Sequence, residues 1–127
     1  TRNSALPSSY VDEDAKIVNA FVAEGCEVYG DVDFSVLFQS VTIEEGATVR
    51  DSVVLPGSVI KKGANIQYAI IGENCVVEEG ATVGQRPENV ENMDNWGIAV
   101  LGNGVTVGAK LSVPAKGMIY EDVKEAE

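Results

Sequence analysis

The 127-residue chain contains no histidine. This removes the side chain most used for proton transfer near neutral pH and for catalytic zinc ligation. Only two cysteines are present, Cys26 and Cys75, too few for a disulfide scaffold and not spaced as a metal-binding C-x-x-C pair. Positive charge is scarce as well: nine Lys and Arg against twenty Asp and Glu give a net charge of −11. A surface of that sign repels phosphate backbones and anionic membranes, so neither nucleic acid nor a membrane is expected as a partner. No apolar run approaches the roughly 20 residues that cross a bilayer, and the opening TRNSALPSSY has no signal-peptide core. A cytoplasmic location is the resulting expectation.

Repetition is abundant. EEGATV occurs at Glu44 to Val49 and again at Glu78 to Val83, with KKGANI at Lys61 to Ile66 between them, which sets a 17-residue ruler. A second set of words keeps the same step: AFVAEGCEV from Ala20, SVLFQSVTI from Ser35, SVVLPGSVI from Ser52, AIIGENCVV from Ala69 and AVLGNGVTV from Ala99. Their starts lie 15, 17, 17 and 30 residues apart. Five copies fit one register if the last gap holds an insertion of about 13 residues, here taken as 84–97. Internal repetition at this period indicates a solenoid.

The units are short β-branched pairs broken by Gly, Asn or Pro every five or six positions, a pattern of strands and not of helices. Aliphatic anchors at Ile43, Val49, Leu55, Ile60, Ile66, Ile71, Val77 and Val83 recur at that spacing, with small residues at Ala47, Ala64, Cys75 and Ala81 four places after an anchor. Three short strands joined by tight corners then close one triangular coil, with Gly or Asn supplying positive φ at the corners. The expected fold is all-β, a left-handed parallel β-helix of hexapeptide repeats with about six coils at ~4.8 Å each. Its hand follows from the hexapeptide pattern and departs from the right-handed crossover preference of βαβ units. Residues 1–10 are expected to be an arm, 11–113 the β-helix and 114–127 an acidic tail leaving at Pro114. The short 15-residue step is assigned to a tighter corner at Gly30.

Stacking makes columns. Glu44, Lys61 and Glu78 share one, and Glu45, Lys62 and Glu79 the next, so charge alternates along neighbouring rungs. Cys26, Val41, Ser58, Cys75 and Val105 form an inward column of small residues. Three coil steps separate the two thiols by about 14 Å, beyond the reach of a disulfide. If Val22, Leu37, Val54, Ile71 and Leu101 point inward, then Phe21, Val36, Val53, Ile70 and Val100 point outward as an apolar stripe. Either the chain's own arm or inserted loop covers that stripe, or another domain or subunit does.

Three settings for such a β-helix are distinguished by histidine. Hexapeptide acyltransferases use one as general base and β-helical carbonic anhydrases bind zinc through three; this chain can do neither. The third setting is the carboxy-terminal domain of sugar nucleotidyltransferases. Glu24 to Cys26 (EGC), Tyr29 to Val41 (YGDVDFSVLFQSV), Arg50 to Gly57 (RDSVVLPG), then YAIIGENCVVEEGATVG, QRPENVENMDNWG and IAVLGNGVTVGA follow in order. This series resembles the β-helix domain of bacterial glucose-1-phosphate adenylyltransferase (ADP-glucose pyrophosphorylase) over nearly all of the chain.

The resemblance implies a parent enzyme that joins ATP and glucose 1-phosphate, with Mg, into ADP-glucose and pyrophosphate for glycogen biosynthesis. Its nucleotide loop has no counterpart among the 13 glycines here, so the fragment alone is expected to be noncatalytic, with no cofactor of its own. The resemblance further implies packing on the parent's own catalytic domain, assembly as a homotetramer, and contact with anionic effectors. The candidate effector residues are Arg86, in the insertion, and Lys61 and Lys62, which double as the basic rung of the charge ladder. Trp96 is expected to pin the inserted loop to the wall, with stacking on an adenine or a neighbouring subunit as the alternative. Two other readings stay open: a noncatalytic scaffold for protein partners, and the same domain of another sugar-1-phosphate nucleotidyltransferase.

Overall fold

A computed structural model describes residues 9–13, 15–84, 97–113 and 117–119. The chain winds through three strands per coil. The first coil holds β1 (Tyr10–Val11), β2 (Ile17–Val18) and β3 (Phe21–Val22); the second β4 (Glu27–Val28), β5 (Asp31–Asp33) and β6 (Val36–Leu37). The third holds β7 (Thr42–Ile43), β8 (Thr48–Arg50) and β9 (Val53–Val54); the fourth β10 (Val59–Ile60), β11 (Asn65–Gln67) and β12 (Ala69–Ile71). The fifth holds β13 (Val76–Val77), β14 (Thr82–Val83) and β15 (Ala99–Leu101); the sixth β16 (Thr106–Val107), β17 (Ser112–Val113) and β18 (Met118–Ile119). Every third strand pairs in parallel, giving three six-stranded sheets that form the first, second and third faces of a left-handed β-helix.

The register follows the sequence ruler. Along the third face Phe21 pairs with Val36, Val36 with Val53, Val53 with Ile70 and Ile70 with Val100, steps of 15, 17, 17 and 30. Each strand is only two or three residues long, so a coil is held by its inward side chains. Val28, Ile43, Ile60 and Val77 on the first face, Val49, Ile66 and Val83 on the second, and Leu37, Val54 and Ile71 on the third are all fully buried. Each such burial contributes about 1.5–3 kcal/mol. On the third face the anchor is Val54 and not Leu55, which is half-buried beyond the strand end. The face between two corners spans five positions here, so counting six from Val49 overshoots by one.

The short coil loses its two residues at one corner. Val28 to Val32 spans four positions where Ile43 to Val49 spans six, and Gly30 lies in the middle of the shortened stretch. A Cβ at Gly30 would run into the Ala47 carbonyl oxygen, and 2.8 Å from that of Glu44, so only glycine lets the corner cut this close to the next coil. The insertion enters at a different corner, between the second and third faces, starting from Gly84. Residues 85–96 lie outside the described residues.

Gly or Asn does not hold every corner. Between the second and third faces the positive-φ column is Asn19, Phe34, Asp51 and Tyr68, at φ 48–50°. For L-residues this conformation costs about 1–2 kcal/mol each. Buried serines tie down the same corner. Ser35 Oγ donates to Asp33 O (2.8 Å) and accepts from Ser52 N (3.2 Å). Ser52 Oγ donates to Arg50 O (2.6 Å) and accepts from Ala69 N (3.1 Å). Each hydroxyl thus gives a buried N–H of the next coil its acceptor and adds a second bond to a carbonyl that already accepts from that coil, Asp51 N to Asp33 O at 3.0 Å and Tyr68 N to Arg50 O at 3.1 Å.

The ends differ from the expected boundaries. Tyr10 opens β1, within the stretch expected to be an arm, and β18 lies beyond Pro114, where a tail was expected; Met118 and Ile119 pair with Val100 and Leu101. At the first coil the inward column is open: Val11 is 43% exposed, whereas its stacked neighbour Val28 is fully buried.

Candidate functional site: an apolar face and its flanking corners

The outward column of the third face is Phe21, Val36, Val53, Ile70 and Val100, extended in register by Met118. Strand alternation puts Val36, Val53, Ile70 and Val100 outside because Ser35, Ser52, Ala69 and Ala99, which precede them, are buried. Phe21 is 59% exposed and Ile70 36%, while Val36, Val53 and Val100 are half-buried against their stacked neighbours. The stripe expected from the sequence is therefore continuous on one face. Phe34 (58% exposed) and Val18 widen it around the corner at its first-coil end, and Ile98 borders it where the insertion returns. Phe34 was not anticipated: its signal in the sequence is an aromatic at a position where neighbouring copies carry Asn or Asp.

Of the three candidate effector residues, the structure describes Lys61 and Lys62. Lys61 and Lys62 lie between the first and second faces. Gly84, where the insertion carrying Arg86 begins, lies between the second and third. Arg86 and Trp96 are outside the described residues. Lys61 Nζ is 3.4 Å from Glu78 Oε1, in a half-exposed pair. Lys62 donates its backbone N–H to Glu44 Oε1 at 3.2 Å, and its side chain is exposed. The charge alternation is thus realised through one ion pair and one side-chain-to-backbone bond.

The shortened corner leaves a shallow recess of about 240 Å³ lined by Tyr29, Gly30, Asp31, Glu45, Gly46 and Ala47. The Tyr29 phenol donates to Glu27 Oε1 at 3.2 Å, and its ring lies 5.5 Å from that of Tyr10. Desolvation, then the Glu27 carboxylate, push the Tyr29 phenol above its ordinary range. With Asp31 and Glu45 on its rim, the recess is unsuited to an anion.

Cys26 and Cys75 are buried and free, as their shared column requires. Each thiol donates to a carbonyl of the next coil, Cys26 to Phe38 O and Cys75 to Gly102 O, both at 3.0 Å. Burial pushes both thiols above the ordinary range, so they are packing groups and not nucleophiles. Among the described residues no cluster of three His, Cys, Asp or Glu could hold a metal ion, and no helix is long and apolar enough to cross a membrane.

The chain is similar to known proteins. A segment of 60 residues, 47% of the chain, is 52% identical to glucose-1-phosphate adenylyltransferase from Bacillus thuringiensis (strain Al Hakam), and the same holds for the Bacillus anthracis enzyme. That segment spans 16% of the relatives' length. The solved acetyltransferase domain of PglB from Neisseria gonorrhoeae FA1090 superposes over 94% of this chain and 53% of its own, with a TM-score of 0.68 and 23% identity, a likeness of fold alone. The profile of the family described as GlmU-like, C-terminal hexapeptide matches residues 6–108. With its 17-residue coils, three parallel faces and this match, the chain belongs to the GlmU-like C-terminal hexapeptide family.

Proposed function

We propose that this chain is the regulatory and oligomerisation domain of a glucose-1-phosphate adenylyltransferase, and that its third face is the assembly surface. The observation that carries the reading is the uninterrupted apolar column from Phe21 to Val100 in a chain that shares a 52% identical segment with such enzymes. A column of this kind gains free energy by leaving water, and the parent's catalytic domain or a second subunit supplies the covering surface. In this reading the parent binds ATP and Mg through other parts of its chain and makes ADP-glucose and pyrophosphate from ATP and glucose 1-phosphate for glycogen biosynthesis, in the cytoplasm and as a homotetramer. The β-helix contributes contacts and no catalytic group. Anionic effectors would be met by Arg86 of the insertion. Lys61 and Lys62, on the corner between the first and second faces, are the further candidate cations for such ligands.

Sedimentation equilibrium tests the surface. The chain is measured alone and with the purified catalytic domain of such an enzyme, as wild type and with Phe21→Ser, Val36→Ser, Val53→Ser or Ile70→Ser. Self-association or capture that weakens in the variants is the expected result. A monomer that ignores the catalytic domain would overturn the assembly role and favour a scaffold for other protein partners.

A further inference from the structure

The corner between the third and first faces is built alike in successive coils. Its positive-φ residue donates a backbone N–H to a carbonyl of the preceding coil: Ser40 to Glu24, Gly57 to Gln39, Asn74 to Pro56 and Gly104 to Glu73, at 3.1, 3.0, 3.0 and 2.7 Å. In the fifth coil this corner is Gly102-Asn103-Gly104, which contains the chain's single Asn-Gly pair. Asn-Gly is chemically labile because glycine has no Cβ to hinder attack by its own nitrogen on the preceding side-chain amide. In that step Gly104 N loses its proton and bonds to Asn103 Cγ. The Cγ–Nδ2 bond breaks and ammonia leaves with that proton, forming a succinimide. Water then opens either carbonyl of the ring to give aspartate or isoaspartate.

The fold withholds the attacking nitrogen. The Gly104 N–H is committed to Glu73 O, and Asn103 Oδ1 accepts the Glu73 N–H at 2.8 Å, so two bonds clamp the pair to one residue of the coil before it. Gly72 leaves room for this clamp, because a Cβ there would lie 2.8 Å from Asn103 Oδ1 and 2.7 Å from Leu101 O. Solvent nevertheless reaches the site: Asn103 and Gly104 are exposed, with open space where a Gly104 Cβ would stand. We propose that Asn103 is a fold-gated deamidation site, closed by the Glu73 clamp in the wound solenoid and open whenever the fifth coil lifts from the fourth. Either product disturbs the corner. Aspartate places a second carboxylate one rung from exposed Glu73, and isoaspartate adds a backbone carbon that misaligns the clamp.

The test compares the full chain, folded and fully unfolded in urea, at the same mildly alkaline pH, with peptide mapping by mass spectrometry and chromatographic separation of isoaspartate. Conversion at Asn103 at least about tenfold slower in the folded chain is expected, since two hydrogen bonds must open first. Equal rates in the two states would overturn the gate. Amide loss in the unfolded chain that occurs elsewhere and spares Asn103 would overturn the site. Asn103→Gln should abolish the conversion at this position in urea, a readout that does not depend on the variant folding.

Discussion

The second and third faces share one backbone plan and differ only in what they show to water. Inside, Val32, Val49, Ile66 and Val83 on one face match Leu37, Val54, Ile71 and Leu101 on the other, all buried. Outside, the second face stacks Asp31, Thr48, Asn65, Thr82 and Ser112, every one polar. The third stacks Phe21, Val36, Val53, Ile70 and Val100, every one apolar. Inward residues decide whether a coil forms, because they alone fill the prism. Outward residues are released from that duty, so their polarity reports what the face meets: water on the second, a partner on the third under the proposed assembly role.

If the insides are equivalent, Ile66→Ala and Ile71→Ala should each cost about 2–5 kcal/mol, read as urea midpoint shifts at constant slope. A large loss at one and little at the other would break the equivalence. The corner joining the two faces comes next: Ser52→Ala leaves the Ala69 N–H without its buried acceptor and should cost about 1–3 kcal/mol. Thr48→Ala, on the outward column of the second face, should stay within about 0.5 kcal/mol.

A smaller effect appears in alkali, where the third face turns into the first. Both thiols titrate above their unfolded value of about 8.5, so the folded chain keeps protons that the unfolded chain releases. That contribution is fully present below the unfolded value and is lost as pH rises through the folded values. Midpoints should therefore fall from about pH 8 to pH 10, less steeply in Cys26→Ser or Cys75→Ser. The smallest stability change, within about 0.5 kcal/mol, is expected from exchanging the outsides. Ile70→Ser should weaken any association, whereas Thr48→Val with Asn65→Val and Thr82→Val should create it on the second face, as seen by sedimentation. Association unchanged in both would separate outward polarity from assembly.

Much of this plan was legible because stacking repeats a chemical demand every coil. The doubled EEGATV marks one corner, and Cys26 and Cys75 fall in one column because that inward position accepts only small side chains. The sequence points to Gly30 for the two-residue deficit without a physical ground, which the structure supplies in the close approach of the Ala47 and Glu44 carbonyls to that corner. Spacing alone makes Leu55 an anchor while alternation along the strand turns Val54 inward, because two adjacent aliphatic residues satisfy a step of five or six equally, and the observed burial selects Val54. Phe34 and Tyr68 at positive φ escaped a rule built on Gly and Asn. Their strain is tolerated because the hydrogen bonds on either side of the corner fix the chain path: Phe34 N to Val18 O at 2.9 Å and Tyr68 N to Arg50 O at 3.1 Å. The serine ladder was hidden for a related reason, since Ser35 and Ser52 look like ordinary small residues until the corner's unpaired backbone groups are in view. Among candidate site residues, the sequence listed cations without the corner each occupies, and the fold places Lys61 and Lys62 on the corner between the first and second faces.

By itself, then, the sequence determined the coil length, the inward columns, the absence of histidine chemistry and the apolar stripe. Each of these depends on residue identity at a fixed period. Tertiary structure alone decided how closely the coils approach at the shortened corner, which buried hydroxyls close the ladder and which residues other than glycine take positive φ. Those depend on how one coil settles on the next, a contact between residues 15 to 30 positions apart that no local pattern encodes.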